Sequence, residues 1–236
     1  MKVEELKNYG KNILEMSIAS MPADRKVRVL KSAVKLFVRL TGALGVRRTI
    51  GLMRKFKKNL KDAGDLDWSD LKARGVSQKD LDMIIKKTVL NKTIADMIGM
   101  DRLEEIRFAF SASTSYDIME EMFASAATFM ACGNGDFLDP FKRYYVALMD
   151  RMAGSGIEDF EVARYDKDVF QLNVTYCAFY EAAKKLGDPY LCYITSCHGD
   201  ETFFGKLSED AGFEYHREGT LALGKPVCDH CFKRKI

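Results

Sequence analysis

Residues 156–177 read GIEDFEVARYDKDVFQLNVTYC, and this stretch decides the fold. Before Gly156 the apolar residues recur every three or four positions. After it the period drops to two: Phe160, Val162 and Arg164 alternate with their neighbours, and so do Val169, Gln171, Asn173 and Thr175. Asp166-Lys167-Asp168 between the two runs is turn chemistry. Two period-two runs joined by such a turn predict a β-hairpin.

Upstream of that hairpin the spacing predicts helices alone. They fall near 3–18, over 23–41 (stopped around Gly42 and Gly45) and over 46–62 (ending near Gly64). A short helix opens at Trp68-Ser69-Asp70, and Ser77-x-x-Asp80 resembles a capping box for a helix over 78–90. Helical periodicity returns over 92–110. The Ser111–Ser115 run then offers N-caps for a helix over 117–131, Gly133–Asp136 is a loop, and 141–152 is helical. Downstream, a helix over 178–187 stops at Gly187-Asp188-Pro189, and another spans 189–211 with a break near Cys197. Residues 213–222 and 226–234 form a second hairpin turning at Gly224-Lys225. The predicted class is therefore α+β. A helical part (1–155) precedes an α+β part (156–236) with a four-stranded antiparallel sheet and two inserted helices. No low-complexity linker divides the chain, so residues 1–236 read as one domain.

Composition narrows the function classes. The net charge is only +3, from 37 Lys and Arg against 34 Asp and Glu, but it is unevenly spread. Between Arg25 and Lys61 there are 13 basic residues and no acidic one. Val27, Leu30, Val34, Phe37, Val38, Ile50, Met53 and Phe56 are interleaved there at helix spacing, which predicts a core-packed helix pair with a basic outer face docked on the protein's own acidic part. A membrane-surface role is the alternative. No aromatic or Gly signature of a nucleic-acid module accompanies the charge, so nucleic acid is not an expected partner. No run of 18 apolar residues predicts a membrane span. Residues 1–20 lack the apolar run of a signal peptide, and a reduced, cytoplasmic setting is expected.

Chemistry concentrates at the C-terminal end. Five of the six cysteines and all three histidines lie in the last 60 residues, and the first 131 contain neither type. Cys197-His198-Gly199-Asp200-Glu201 sets a thiol three residues before a carboxylate, a spacing that shares a helix face. A thiolate there can act as nucleophile, with Asp200 orienting water or accepting a proton. Cys177 ends the strand Gln171–Tyr176 just before a helix, where backbone N–H groups favour an anion. Cys228-x-x-Cys231 has zinc-site spacing, but on a strand positions 228 and 230 face one way and 229 and 231 the other, so the thiols diverge. An inward Asp229 needs a buried partner, which Arg217 or Thr220 can supply. Cys192 and Cys132 read as core, and His216 as a surface residue.

In order along the chain stand Asn173-Val174-Thr175-x-Cys177, Gly187-Asp188-Pro189, Cys197-x-x-Asp200, Arg217-x-x-Thr220-Leu221-Ala222-x-Gly224 and Cys228-Asp229. Over residues 158–234 this order resembles the L-2-amino-thiazoline-4-carboxylic acid hydrolase family. The resemblance implies hydrolysis of a small cyclic amidine acid to an N-carbamoyl-cysteine product. Carried over by position, it implies Cys177, Cys197, Asp200, Cys228 and Asp229 as functional residues. On this reading Cys197 is the nucleophile, with Cys177 as the alternative, and Asp200 is the base. Asp229 binds the cationic amidine, Arg217 binds the carboxylate, and Cys228, Thr220, Asn173 and Glu201 line the substrate. No cofactor is needed, the partner is a small-molecule substrate, and homo-oligomer formation stays open. His230-Cys231 departs from the family pattern, which leads one to expect an aromatic and a basic residue there.

Two other classes remain. One is a metal-binding or thiol-sensing protein holding zinc or iron through Cys177, Cys197, His198, Cys228 and Cys231. The other is a module binding an apolar small molecule, related in layout to vinyl-reductase-like ligand domains.

Overall fold

The computed structural model describes residues 22–120 and 122–235. The helix expected near 3–18 lies outside them. Within the described residues seven helices come first: α1 (Ala23–Leu44), α2 (Val46–Gly64), α3 (Ser69–Ala73), α4 (Gln78–Ile98), α5 (Met100–Met119), α6 (Ala126–Cys132) and α7 (Leu138–Gly154). The strands β1 (Glu158–Tyr165) and β2 (Val169–Cys177) follow, then α8 (Ala178–Lys185). Next comes a continuous helical run of α9 (Tyr190–Cys192), a π-helical turn (Tyr193–Cys197) and α10 (His198–Asp210). Strand β3 (Phe213–His216), a 3-10 turn (Leu221–Leu223) and β4 (Cys228–Arg234) complete the chain. The sheet is antiparallel in the order β1-β2-β4-β3, as the α+β reading requires.

The helix boundaries differ from the expected ones where side chains bond locally. Ser77 caps α4 through Asp80 N–H at 3.2 Å, but α4 continues past residue 90 to Gly99, whose φ of 87° breaks it from α5. The Ser111–Ser115 run does not cap a new helix. Ser113 and Thr114 instead return their hydroxyls to the carbonyl of Phe110, so α5 runs through them. The expected helix over 117–131 is therefore replaced by the end of α5 and by α6, which Ser125 caps through Thr128 N–H at 3.2 Å.

The basic segment forms the expected helix pair, but its apolar stripe is not core. Val27, Leu30, Val34, Phe37, Val38, Ile50 and Met53 are 48–68% exposed, whereas Phe56 packs on the core. Helix α1 docks through its other side, with Val29, Ser32 and Leu44 buried. Arg28 donates to Asp117 on α5 at 2.7 Å, and Arg25 pairs with Glu120 just beyond it. These contacts are with the protein's own acidic residues, as expected. No described helix is long and apolar enough to cross a membrane.

The sheet turns one face to the helices. Phe170 and Phe232 pair across β2 and β4, and Tyr215 on β3 pairs with Phe232. Phe141 of α7 stacks its edge on Phe232 at 4.7 Å, and Phe204 of α10 does so at 5.3 Å. Each such ring contributes roughly 1.5–3 kcal/mol by leaving water. The opposite face is polar, with Gln171, Asn173, Asp229 and Cys231 in register, the alternation normal for an antiparallel sheet covered on one side. The core is contiguous from Ala63 and Trp68 to Phe232.

Candidate functional site

A cavity of about 70 Å³ opens where the end of β2, the start of β4, α7 and the π turn meet. A single water needs roughly 10–15 Å³, so there is room for several waters or one small planar molecule. Met119, Met122, Phe123, Leu148, Met149 and Phe204 give it apolar walls. Its polar groups are four thiols (Cys177, Cys192, Cys197, Cys228), the carboxyls of Glu158 and Asp200, Arg217, His230, Ser196 and the hydroxyl of Tyr145.

Three local irregularities assemble these groups. The β1–β2 register shifts between Asp159 and Phe160, leaving Thr175 unpaired. That shift changes the phase of the pleat, so Val174 and Cys177 both reach the cavity although they are three residues apart. It also pairs Glu158 with Cys177, whose thiol donates to Glu158 Oε1 at 3.8 Å. The π turn is the second irregularity. On an α-helix Cys192 and Cys197, five residues apart, would point about 140° apart. In an i→i+5 turn they stack, and their Sγ atoms lie 4.0 Å apart. Buried Asn91 of α4 holds this turn through Thr195 Oγ1 at 3.1 Å.

The third irregularity is the loop after β3. Instead of a tight hairpin, the chain leaves the sheet at Arg217. Both oxygens of Asp229 accept backbone N–H groups, from Glu218 and Gly219, at 2.9 Å. Thr220 caps the 3-10 turn through Leu223 N–H, and Cys228 Sγ accepts from Leu221 N–H at 3.3 Å. The diversion carries the Arg217 side chain inward, where Nη1 donates to the carbonyl oxygen of Cys197 at 3.2 Å.

This packing sorts the charges. Hydrogen bonds from Cys192 and Cys228, and then the Arg217 charge, push the Cys197 thiol well below its ordinary range against the opposing effect of burial. Cys192 is pushed up by its hydrogen bond with Cys177 and then by that with Cys197, and Cys228 by its hydrogen bond with Cys197, which favours the protonated forms of both. Among these three thiols Cys197 is the one held as thiolate. Burial raises Asp200 to about 7 against the pull of Arg217, and raises Glu158 to about 8 with help from the Asp200 and Cys197 charges. Burial also pushes His230 well below its ordinary value, so it is neutral and shares a hydrogen bond with Tyr215 OH at 3.2 Å. The arrangement offers an activated nucleophile, two carboxyls titrating near neutrality and a fixed cation.

Of the residues singled out in the sequence, the structure brings Cys177, Cys197, Asp200, Cys228 and Arg217 to the cavity. Thr220 is buried behind it. Asn173 and Asp229 are not brought to it. They face each other across β2 and β4 on the outer side of the sheet, Asn173 donating to Glu161 and Asp229 holding the loop. An inward Asp229 is thus ruled out by the pleat: Cys228 and His230 occupy the inward positions. Glu201 lies at the margin, accepting from Tyr193 OH at 3.0 Å and 3.8 Å from Arg217. The five residues of the metal alternative do not converge. His198 stacks on Phe108 at 3.7 Å and Cys231 faces outward. Among the described residues no group of three or more His, Cys, Asp and Glu is arranged to hold a metal ion.

Sequence reasoning missed Glu158, Cys192 and His230. Glu158 opens a strand like many surface acids, and only the bulge marks it. Cys192 reads as core on any helix of α periodicity. His230 was detectable, since its alternation with Asp229 puts it on the Cys228 face.

No curated protein and no solved structure matches the chain. The sequence model of L-2-amino-thiazoline-4-carboxylic acid hydrolase matches residues 82–232. The match runs from α4 to β4, further upstream than the motif order suggests, and takes in every polar group of the cavity. With most of its length matched, including both the helical cover and the sheet, the chain belongs to the L-2-amino-thiazoline-4-carboxylic acid hydrolase family.

Proposed function

We propose that the protein opens a small cyclic amidine acid of the thiazoline-carboxylate type, with Cys197 as nucleophile. The observation that carries this reading is the Cys197 thiol, favoured as thiolate at a small cavity beside two carboxyls that titrate near neutrality. The thiolate adds to the amidine carbon, and the ring C–S bond breaks to release the ring sulfur as a thiolate. That leaving group needs little acid assistance. Water then attacks the same carbon, Asp200 takes its proton, and the C–S bond to Cys197 breaks. The product is an N-carbamoyl thiol, and the enzyme thiolate is restored. Arg217 pairs with the ring carboxylate through the edge not engaged by Cys197 O. Its Nε is buried and without a hydrogen-bond partner, an unmet donor that an oxygen of the substrate would satisfy. Glu158 and Cys177 form the wall opposite, and Glu158, raised to about 8, keeps a proton beside the leaving sulfur. Cys228 donates to the Cys197 thiolate.

Incubation with L-2-amino-thiazoline-4-carboxylate, followed by chromatographic measurement of ring loss, tests this reading. Cys197→Ser is expected to lower turnover on the order of 10³-fold or more, while Cys177→Ser retains most of it. Full turnover by Cys197→Ser would remove the nucleophile assignment. A second reading, thiol-based sensing, draws on the 4.0 Å approach of Cys192 and Cys197. It requires reversible oxidation of that pair and no ring opening.

A further inference from the structure

A second cavity, of about 370 Å³, lies between α4, α5 and the π turn. Met119, Phe179, Ser196 and Asp200 line both cavities, so the two meet at the Asp200 carboxyl. The second one is cationic. Lys87 projects into it from α4 and Arg107 from α5. Among the described residues neither forms an ion pair, and Arg107 Nε is buried without a hydrogen-bond partner. Each cation has a ring nearby: Lys87 Nζ lies 5.3 Å from the Phe179 centroid and Arg107 5.4 Å from that of Phe110, and the Asp200 charge acts on Lys87 from the junction.

The lining repeats at helix spacing. Arg107, Ser111 and Ser115 follow one another at i, i+4 and i+8 along one face of α5, and both serines are buried. A guanidinium, an ammonium and two hydroxyls therefore converge on one space. Two half-buried cations facing one space repel each other. Burial and then the Arg107 charge lower Lys87 to about 8, and burial lowers Arg107 as well. Arg107 and Lys87 cost less in this position with an anion between them. The one acid of the lining, Asp200, stands at the junction and belongs to the thiol cavity.

We propose that this second cavity is an anion-binding extension of the thiol site, and that the molecule acted on carries a carboxylate or phosphate on a substituent reaching Lys87 and Arg107 while its electrophilic carbon lies at Cys197. The inference rests on the ring-opening reading for the identity of the electrophile. It adds that the substrate is longer than the bare ring acid and bears a second anionic group beyond the carboxylate assigned to Arg217.

The test uses inorganic phosphate and succinate as probes, at constant ionic strength. Lysines of the whole protein are trace-labelled with acetic anhydride at pH 8, and the Lys87 peptide is quantified by mass spectrometry. Phosphate or succinate is expected to slow Lys87 labelling saturably, by 5-fold or more, with other lysines unaffected. Arg107→Met should abolish the protection. If that variant folds poorly, Lys87→Met serves instead, read as loss of the rise in Tm that phosphate gives the unaltered protein. Unchanged Lys87 labelling with both anions, or equal protection in Arg107→Met, overturns the proposal. Cys197→Ser should be protected as the unaltered protein is. Protection without ring opening would therefore count against the hydrolytic reading alone, and ring opening without protection against the anion site alone.

Discussion

Arg217 Nη1 donates to the carbonyl oxygen of Cys197 at 3.2 Å. One contact thus joins the loop after β3 to the turn that carries the Cys197 thiol. It brings a permanent positive charge beside a thiolate and fixes the backbone from which that thiolate projects.

The first prediction follows from this charge. In Arg217→Met the pKa of the Cys197 thiol should rise by about one or more, the usual effect of removing a close opposite charge. The pH dependence of Cys197 alkylation by iodoacetamide reads it directly. Arg217→Lys should restore part of that charge effect but not the geometry, because an ammonium lacks the planar fork. An alkylation profile that does not move in Arg217→Met would separate the charge from the thiol.

A second prediction concerns pH and rate. Asp200 must be ionised to take a proton from water, and it is raised to about 7. Ionising Glu158, raised to about 8, puts a further negative charge beside Cys177 and Cys197. The kcat profile should therefore rise through about 7 and fall above about 8, as the apparent values of a coupled pair. The Asp200 charge is itself one of the causes that raise Glu158. In Asp200→Asn the falling limb should consequently move to lower pH while the overall rate drops about 10²-fold. A falling limb that stays put would detach it from Glu158.

Stability should carry the opposite sign at the same groups. The folded protein holds a proton on Asp200 up to about 7, whereas the unfolded chain releases it near the ordinary value of 3.8. Between those values the folded state binds more protons, so stability falls as pH rises. Asp200→Asn removes that loss. The variant should be more stable than the parent at pH 8 by about 1 kcal/mol or more, since a tenfold change in proton affinity is worth ~1.4 kcal/mol. The gain should shrink towards pH 4. Urea denaturation at both pH values checks it, and an equal difference at both would contradict the assignment.

Asp229 yields a prediction of a different kind. Its carboxylate accepts two backbone N–H groups and shapes the loop that delivers Arg217. Asp229→Ala should destabilise the protein by about 1–3 kcal/mol. It should also raise the Cys197 pKa, because Arg217 loses its support. If Asp229 bound the amidine directly, the loss would show in KM with the thiol pKa unchanged, and alkylation kinetics distinguish the two.

Much of the fold was legible because period is a local property. The change at Gly156 marks the boundary between helices and sheet, and strand alternation alone shows that Cys228 and Cys231 diverge. The lining of the candidate site was legible at Cys197, Asp200 and Arg217 and obscure at Glu158 and Cys192. Those two depend on a bulge and a π turn, each a one-residue change of phase that no local spacing announces. The exposed Val34 and Phe37 show the converse error. Helix spacing identifies an apolar face, but not whether another part of the chain covers it. The motif order invites an inward Asp229, although its own strand position points it outward.

The π turn at Tyr193–Cys197 has a further consequence for how this site can be gained or lost. A π turn holds one residue more than the α-helical turn it replaces. Relaxing this turn to α geometry with all its residues kept would rotate everything after it by about 100°. Asp200 would then leave the cavity, and Cys197 would part from Cys192, with the helix itself undamaged. The candidate site is thus one change of helical phase away from an inert helix of the same sequence. Relatives that keep every cysteine but not the π turn should share the fold without the chemistry.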